Sequence, residues 1–246
     1  MKIIQSILVV FLLGCLGTIT NAVCTDCAKD ILEKEYKEKN DWPVLGPRPK
    51  VVGGPRTITG FVHPKRPDKE PMQQWDIEHG GFQYKICISE EIKDRIPLEH
   101  LLGWVANVPI PYRKGLEIVS EEGKDGLEFL SRERVGNGGF AWEEYIHIGI
   151  HQNIVTNSEK GLHSADDLMY AIVHEIGHVY NARYIGGSRD HPNTEWKAAI
   201  AADPTQVSNY GNTNSKEDMA EFGYLYAMAK YMHGDKPGYL KRLQQM

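Results

Sequence analysis

Residues 168–179 read LMYAIVHEIGHV, an apolar stretch that carries two histidines, His174 and His178, and a glutamate, Glu175. Apolar residues at this density predict a largely buried α-helix. Residues four apart on a helix project from the same side, so both imidazoles can bind one metal ion. Glu175 lies about 100° around the helix from His174, from where it can reach a water beside that ion. The stretch therefore predicts a buried metal-binding helix.

The burial of polar residues in this helix costs free energy, which indicates that they have a function. Histidine and glutamate side chains are expensive to bury in an apolar helix unless they are paired or bound to a metal. Two neutral histidine ligands, an open coordination position and a carboxylate that takes a proton from water are the parts of a metal hydrolase site. The alternative is a polar network in which the histidines bind no metal.

A third protein ligand is needed for a tetrahedral catalytic zinc site. The metzincin extension requires Gly and His where this chain has Asn181 and Tyr184, so that class is excluded. Glu217 and Glu221 lie on one face of a second predicted helix, where one carboxylate can bind the metal and the other can hold a ligand histidine. Glu195 is a further acidic candidate, less well placed than Glu217.

Two segments after the first helix carry a resemblance. Residues 207–214 read VSNYGNTN and residues 217–222 read EDMAEF. Together with the HEIGH helix, they resemble the catalytic domain of anthrax lethal factor and the secreted bacterial Pro-Pro endopeptidases, over about residues 95–246. The resemblance implies an α+β fold: a zincin-like metallopeptidase domain with a small mixed sheet, an active-site HExxH helix and a C-terminal helical half.

The same resemblance implies the role of each site residue. The ligands of one zinc ion would be His174, His178 and Glu217. Glu175 would be the general base, Tyr210 would donate a hydrogen bond to the oxyanion, and Glu221 would orient His174. The strand around residues 145–150 would be the edge strand that pairs with an extended substrate, after a glycine-rich run that suits close approach of a peptide.

The expected function is that of a zinc metalloendopeptidase, which hydrolyses peptide bonds with a zinc-activated water. Proline-directed cleavage is one specificity that the resemblance allows. One alternative is a non-catalytic exported binding module with a structural or relic zinc site, and another is a toxin protease that acts on a single host protein. Glu175 and Tyr210 favour an enzyme, because metal binding alone requires neither.

Composition limits the partners of the chain. The 246 residues include 28 Lys and Arg against 33 Asp and Glu, a formal net charge of −5. This balance gives no overall basic field of the kind that attracts nucleic acid or anionic membranes. We therefore expect a peptide or protein substrate, no nucleic-acid partner and a monomeric chain.

The first 22 residues predict an export signal. Lys2 precedes an apolar run over residues 3–16, and Ala22 ends a short polar stretch that suits signal peptidase. The run is shorter than the roughly 20 apolar residues of a membrane-spanning helix. Residues 12–15, LLGC, also resemble a lipoprotein box, which would place a lipid anchor on Cys15. The protein is expected to be secreted or, alternatively, lipid-anchored at the cell surface or envelope.

Residues 23–94 form a segment of unknown role ahead of the predicted domain at 95–246: a prosegment, a sheet extension or a substrate-recognition region. Residues 41–71 are rich in Pro and Gly and predict loop or linker. In an exported chain cysteines can form disulfides. The expected bridge joins Cys24 or Cys27 to Cys87.

The remaining pattern predicts further elements. The predicted strands are residues 57–62, 82–89 and 140–150. The predicted helices are residues 98–105, 164–184, 195–202, 215–232 and 237–244. Ser164 and Asp167 predict a capping box at the start of the long helix. The histidines outside the HEIGH segment are expected at the surface or at sheet edges: His63, His79, His100, His147, His151, His163, His191 and His233.

Overall fold

The structure is a computed structural model. It describes residues 47–60, 70–131, 135, 139–142, 145–150, 162–184, 194–202 and 206–233. The predictions on the export signal, on Cys15, Cys24 and Cys27, and on the last helix, 237–244, lie outside the described residues.

Six strands form one mixed sheet. The strands are β1 (Lys50–Gly60), β2 (Glu70–His79), β3 (Phe82–Ser89), β4 (Leu127–Ser131), β5 (Gly139–Trp142) and β6 (Tyr145–Ile150). Their order across the sheet is β1-β2-β3-β4-β6-β5. Strand β4 runs parallel to β3 and β6, while the β1–β2, β2–β3 and β5–β6 pairs are antiparallel.

Five α-helices accompany the sheet in the described part of the chain. They are α1 (Leu98–Val105), α2 (Arg113–Ile118), α3 (Leu162–Tyr184), α4 (Thr194–Ala202) and α5 (Ser215–His233). The α+β class predicted from the sequence is therefore confirmed. Within these described ranges, none of the helices combines the length and the apolar character that a membrane-spanning helix requires.

The β2–β3 hairpin turns on two glycines. Gly80 and Gly81 both have positive φ, 60° and 89°, a region that glycine enters without steric cost. Along β3, Tyr84, Ile86 and Ile88 alternate with other residues and are buried, so they lie on one face of the sheet. This face contributes to the main core.

Helix α3 lies in the middle of the main core. It contacts β5, β6, α1, α2 and α5. Its buried apolar side chains and those of β4 and β6 form one cluster, which includes Leu168, Ile172, Val173, Ile176, Val179, Phe129, Ile146 and Ile148. Burying a side chain of this size contributes about 1.5–3 kcal/mol. The apolar side of α3 therefore holds it to the sheet, and its histidines face α5.

Several element predictions are confirmed. The strand at 82–89 and the helix at 98–105 have the predicted bounds. The helices predicted at 195–202 and 215–232 correspond to α4 and α5, and the strand predicted at 57–62 overlaps the end of β1. Strong apolar periodicity or clear turn residues mark most of these segments.

Three element predictions need correction. Residues 140–150 form a hairpin of two strands, β5 and β6, instead of one strand. Helix α3 begins at Leu162, so Ser164 lies inside the helix instead of capping it. Residues 41–71, predicted as loop, contain β1 and the start of β2. Strand β1 is mostly exposed, so its sequence lacks the alternation of a half-buried strand.

Strands β1 to β3 fall in the predicted N-terminal segment, and β3 pairs with β4 from the predicted domain. The division of the chain at residue 94 and the removal of the first part on activation stay predictions.

The structure corrects the predictions for three side chains, one cysteine and two histidines. Cys87 is a buried free thiol whose Sγ lies 3.0 Å from the carbonyl oxygen of Asp125, so the predicted bridge to Cys24 or Cys27 is wrong. Burial raises the pKa of this thiol well above its usual range. His79 and His147 are fully buried instead of lying at the surface or an edge. Both belong to strands that pair with neighbours on their two sides.

Candidate metal centre

Helices α3 and α5 bring three ligand atoms to one point. The Nε2 atoms of His174 and His178 lie 3.1 Å apart. Oε2 of Glu217, from α5, lies 3.2 Å from the first and 3.3 Å from the second. Three atoms on a tetrahedron with bonds of about 2.05 Å to Zn²⁺ are about 3.3 Å from one another. The donor set of two imidazoles and one carboxylate therefore fits zinc in both chemistry and spacing.

The close approach of α3 and α5 depends on a glycine of the HEIGH segment. A Cβ on Gly177 would lie 2.9 Å from Cα of Ala220 in α5 and 3.0 Å from the ring of Tyr112. Gly177 thus lets α5 pack directly on the histidine helix, which places Glu217 against both imidazoles.

The start of α5 fixes Glu217 locally. Oδ1 of Asn214 accepts hydrogen bonds from the backbone N–H groups of Lys216, at 3.0 Å, and Glu217, at 3.1 Å. Asn214 has extended backbone angles and immediately precedes the helix, which is the geometry of an N-cap. Glu217 therefore occupies the first turn, where the helix dipole also favours a carboxylate.

Glu221 holds the other nitrogen of His174. Nδ1 of His174 lies 3.0 Å from Oε1 of Glu221, whose side chain is fully buried. A carboxylate at Nδ1 keeps a proton there and leaves Nε2 for a metal. Tyr170, one turn earlier on α3, donates its hydroxyl to the same Oε1. The arrangement agrees with the orienting role expected of Glu221.

The electrostatics of the site favour positive charge. Burial lowers the pKa of His174, but hydrogen bonds with Glu217 and Glu221 outweigh it and raise the pKa to about 9. Burial raises the pKa of Glu217, but the two histidines outweigh it and hold the pKa well below its usual range. Two carboxylates that favour a proton here also favour a divalent cation, so proton and metal compete for the site.

Glu175 lies between the histidines and the edge of the sheet. Its pKa is raised, chiefly by burial, although His174 and His178 lower it. The backbone N–H of Ala141, in β5, hydrogen-bonds its carboxylate. A Cβ on Gly139 would lie 2.7 Å from both Cγ and Oε1 of Glu175. Gly139 therefore makes room for the carboxylate of Glu175. The sequence had suggested a different role for this glycine-rich run, the close approach of a peptide substrate.

The edge strand beside the site is β5, which corrects the prediction for residues 145–150. Those residues form β6, which pairs with β4 on one side and β5 on the other. Only β5 ends the sheet at this side of the described structure. The sequence prediction merged the two strands and therefore assigned the edge to the wrong one.

Tyr210 lies at the open side of the site. It is 52% exposed and precedes a 3₁₀ turn at Gly211–Thr213. Its ring centroid is 5.7 Å from that of His174. Burial and the carboxylate of Glu217 raise the pKa of its hydroxyl, so the group stays protonated and can donate at neutral pH. This is the place that an oxyanion donor would occupy.

The expected site residues come together, with one acidic candidate left outside. His174, His178 and Glu217 are the group found among the described residues that could hold a metal ion. Glu195 is exposed at the start of α4 and takes no part in that group. Three features of the site were not predicted from the sequence: Tyr170, the N-cap Asn214 and the β5 contacts with Glu175. Of these, the spacing of four between Tyr170 and His174 was a readable signal.

Comparisons with known proteins add nothing to this geometry, because no family model, curated protein or solved structure matches the chain. The resemblance to lethal factor and the Pro-Pro endopeptidases stays a prediction from the sequence.

Proposed function

We propose that this chain is a zinc metalloendopeptidase of the zincin type, with one zinc ion held by His174, His178 and Glu217. The observation that carries the proposal is the convergence of these three ligand atoms, each 3.1 to 3.3 Å from the others, beside the carboxylate of Glu175. Bound zinc would supply a Lewis acid that polarises a carbonyl and lowers the pKa of water.

Glu175 is the proposed general base. It takes a proton from the attacking water and returns it to the leaving amine of the cleaved peptide bond. Its raised pKa brings it closer to neutral pH, where a group that both accepts and returns a proton is most effective. The N–H of Ala141 and the space at Gly139 support the carboxylate in one orientation.

Tyr210 is the proposed oxyanion donor. Its protonated hydroxyl can hydrogen-bond the oxygen that gains negative charge as the peptide carbonyl is attacked. Its exposure leaves it accessible to a substrate that approaches from solvent. A site built only to hold a metal does not need this group.

The proposed substrate is a peptide in an extended conformation. Strand β5 offers an edge to which an extended segment can add as a further strand, with main-chain hydrogen bonds supplying affinity. An added strand would run past Glu175, which contacts β5. Proline-directed cleavage outside the cell, in line with the predicted export signal, is the form of this activity that the sequence resemblance favours.

Cleavage of a diverse peptide library that includes Pro-rich members tests the proposal. The zinc-loaded chain is compared with Glu175→Gln and with Glu195→Gln, a matched control at an exposed glutamate. We expect cleavage by the unmodified chain and the control. Glu175→Gln should bind one zinc ion and lose about a thousandfold in rate, within the range for a general base.

Two results would contradict the proposal. One is turnover by Glu175→Gln at the unmodified rate, because the carboxylate would then have no chemical role. The other is a chain that binds no zinc under conditions in which it is folded. Zinc binding without cleavage of any peptide would favour the binding-module alternative.

A further inference from the structure

Tyr170 is a polar residue of the core that the proposed chemistry does not use. It lies one helical turn before His174 on α3, and its hydroxyl donates to Glu221 across the α3–α5 contact. Burial, with the adjacent carboxylate of Glu221, raises the pKa of the hydroxyl, so it remains a donor.

One oxygen of Glu221 receives both hydrogen bonds. Oε1 accepts from Nδ1 of His174 and from the hydroxyl of Tyr170. Each donor restricts the carboxylate, because a charge-assisted hydrogen bond is strong and directional in a buried setting. With both in place, the carboxylate cannot rotate without leaving one donor behind.

Packing holds the Tyr170 ring where this bond requires it. The ring centroid is 5.4 Å from that of His174 and 5.2 Å from that of Tyr224, which meets it edge-on. Tyr224 comes from α5, so the ring is fixed by both helices that build the site. The hydroxyl therefore reaches Glu221 from a rigid support.

We propose that Tyr170 is a positioning residue of the metal centre, which acts through Glu221 to orient His174. The hydroxyl fixes the carboxylate, the carboxylate fixes the Nδ1 proton of His174, and Nε2 is left directed at the metal position. Groups in such an outer layer change metal affinity by about 10- to 100-fold. The inference rests on the proposed zinc site but not on catalysis.

A purely structural role is the competing explanation, and the chain contains a matched control for it. Tyr112 is a fully buried tyrosine whose hydroxyl also donates to α5, at the carbonyl of Met219. Its hydrogen bond joins the same helix but touches no ligand. Tyr112→Phe thus removes a buried hydroxyl of the same kind without disturbing Glu221.

The test measures zinc affinity by competition with a chelator, in the full chain. The variants are Tyr170→Phe, Glu221→Gln, the double variant and Tyr112→Phe. We expect Tyr170→Phe to bind zinc about tenfold more weakly and Glu221→Gln to bind more weakly still. The double variant should match Glu221→Gln alone, since Tyr170 acts only through that carboxylate. Tyr112→Phe should keep the unmodified affinity.

The absorption bands of bound Co²⁺ give a second readout. Tyr170→Phe should shift the visible bands, because the orientation of His174 changes, and Tyr112→Phe should not. If Tyr170→Phe fails to fold, 3-fluorotyrosine at position 170 keeps the ring and alters only the donor strength of the hydroxyl. An unchanged cobalt spectrum in that protein would overturn the inference.

The outcomes separate this inference from the proposed function. Unchanged zinc affinity in Tyr170→Phe, or losses that add fully in the double variant, would overturn the inference and leave the zinc site standing. A folded wild-type chain without zinc affinity would overturn both. Tight zinc binding without peptidase activity would contradict the proposed function alone.

Discussion

Two buried histidine–carboxylate pairs occupy different regions of the molecule. In the helical region, Nδ1 of His174 lies 3.0 Å from Glu221, and in the sheet, Nε2 of His147 lies 2.8 Å from Glu128. All four residues are at most 5% exposed. The pairs are therefore alike in composition, distance and burial, and yet only one of them belongs to a candidate metal site.

The difference lies in what converges on the second nitrogen of the histidine. Nε2 of His174 meets a second imidazole and a second carboxylate, from His178 and Glu217. Glu128 and His147 face each other on neighbouring strands, and neither belongs to the ligand group found among the described residues. The sheet separates its side chains by strand spacing, whereas two helices in close contact can bring four polar groups together.

Access to solvent also differs between the two regions. The side chains of His178 and Glu217 are 22% and 18% exposed, and Tyr210 is more exposed still. Glu128 and His147 are 1% and 0% exposed. A substrate can therefore reach the groups beside the helical pair, whereas the sheet pair is enclosed. The proposed function concerns the helical pair, and we expect the sheet pair to contribute to stability.

Removal of the Glu217 carboxylate is expected to give the largest effect that distinguishes the two regions. Glu217→Gln keeps the shape of the side chain but removes a ligand charge, so zinc affinity should fall by more than the roughly 100-fold that outer partners contribute. Peptidase activity should be lost with the metal. Chelator competition measures the affinity, and the matched Glu128→Gln variant should bind zinc as the unmodified chain does. Weakened zinc binding in Glu128→Gln would show that the two regions are coupled.

The sheet pair should instead affect the free energy of unfolding. Glu128→Gln replaces the carboxylate beside buried His147 with an amide, and loss of a buried polar partner costs about 1–3 kcal/mol. Urea unfolding of Glu128→Gln and of the exposed control Glu195→Gln measures the difference. Equal unfolding midpoints would remove the stability role that we assign to this pair.

The sequence predicted the helical region better than the sheet, for physical reasons. His174, Glu175 and His178 are close in the chain, so the 3.6-residue repeat of a helix decides their relative positions. Glu217 comes from a helix that is distant in the sequence. The resemblance identified it as the third ligand, whereas spacing alone left Glu195 and Glu221 as alternatives.

Contacts through the backbone or across the sheet could not be predicted. The Ala141 N–H on Glu175 depends on where the edge strand lies, and the sequence merged β5 with β6. The burial of His147 depends on the parallel pairing of β4 with β6. Such pairings join segments with no local signal for their register. The exposed β1 was missed because its residues show no apolar alternation.

The space at Gly139 tests whether the sheet contributes to the chemistry of the helical region. An added methyl group would lie 2.7 Å from Cγ and Oε1 of Glu175, so Gly139→Ala should displace the carboxylate. A shift of this size in a catalytic group lowers kcat/KM by about tenfold to a hundredfold. Zinc affinity should stay unchanged, because no ligand moves.

Gly103→Ala is the matched control for that variant. Gly103 lies in α1, and a Cβ there would meet nothing within 4 Å. This variant should keep full activity. Because alanine stabilises a helix relative to glycine, it should also unfold at a slightly higher urea concentration. Full activity in Gly139→Ala would show that β5 does not position Glu175.

A third buried histidine, His79, differs from the other two because its ring contacts a hydroxyl group instead of a carboxylate. Nδ1 of His79 lies 3.2 Å from the hydroxyl of Tyr84. Burial, and then the charge of Arg113, lower the pKa of His79 from 6.5 to about 4. The carboxylates beside His174 raise its pKa, whereas His79 has a lowered pKa and stays neutral in the folded chain above about pH 4. The imidazole of His79 is protonated more readily when the chain is unfolded.

The sign of the resulting pH dependence follows from that difference. Between pH 6.5 and about 4 the unfolded chain binds the proton that folded His79 refuses, so acid favours unfolding. The contribution of His79 to stability is complete above pH 6.5 and is lost as the pH falls toward 4. A pKa lowered from 6.5 to about 4 corresponds to about 3 kcal/mol. Since 1 kcal/mol shifts Tm by about 2–4 °C in a chain of this size, the full change is roughly 6–12 °C. Thermal unfolding of His79→Gln across this range should show a shallower pH slope than the unmodified chain, and parallel slopes would mean that His79 is protonated in both states.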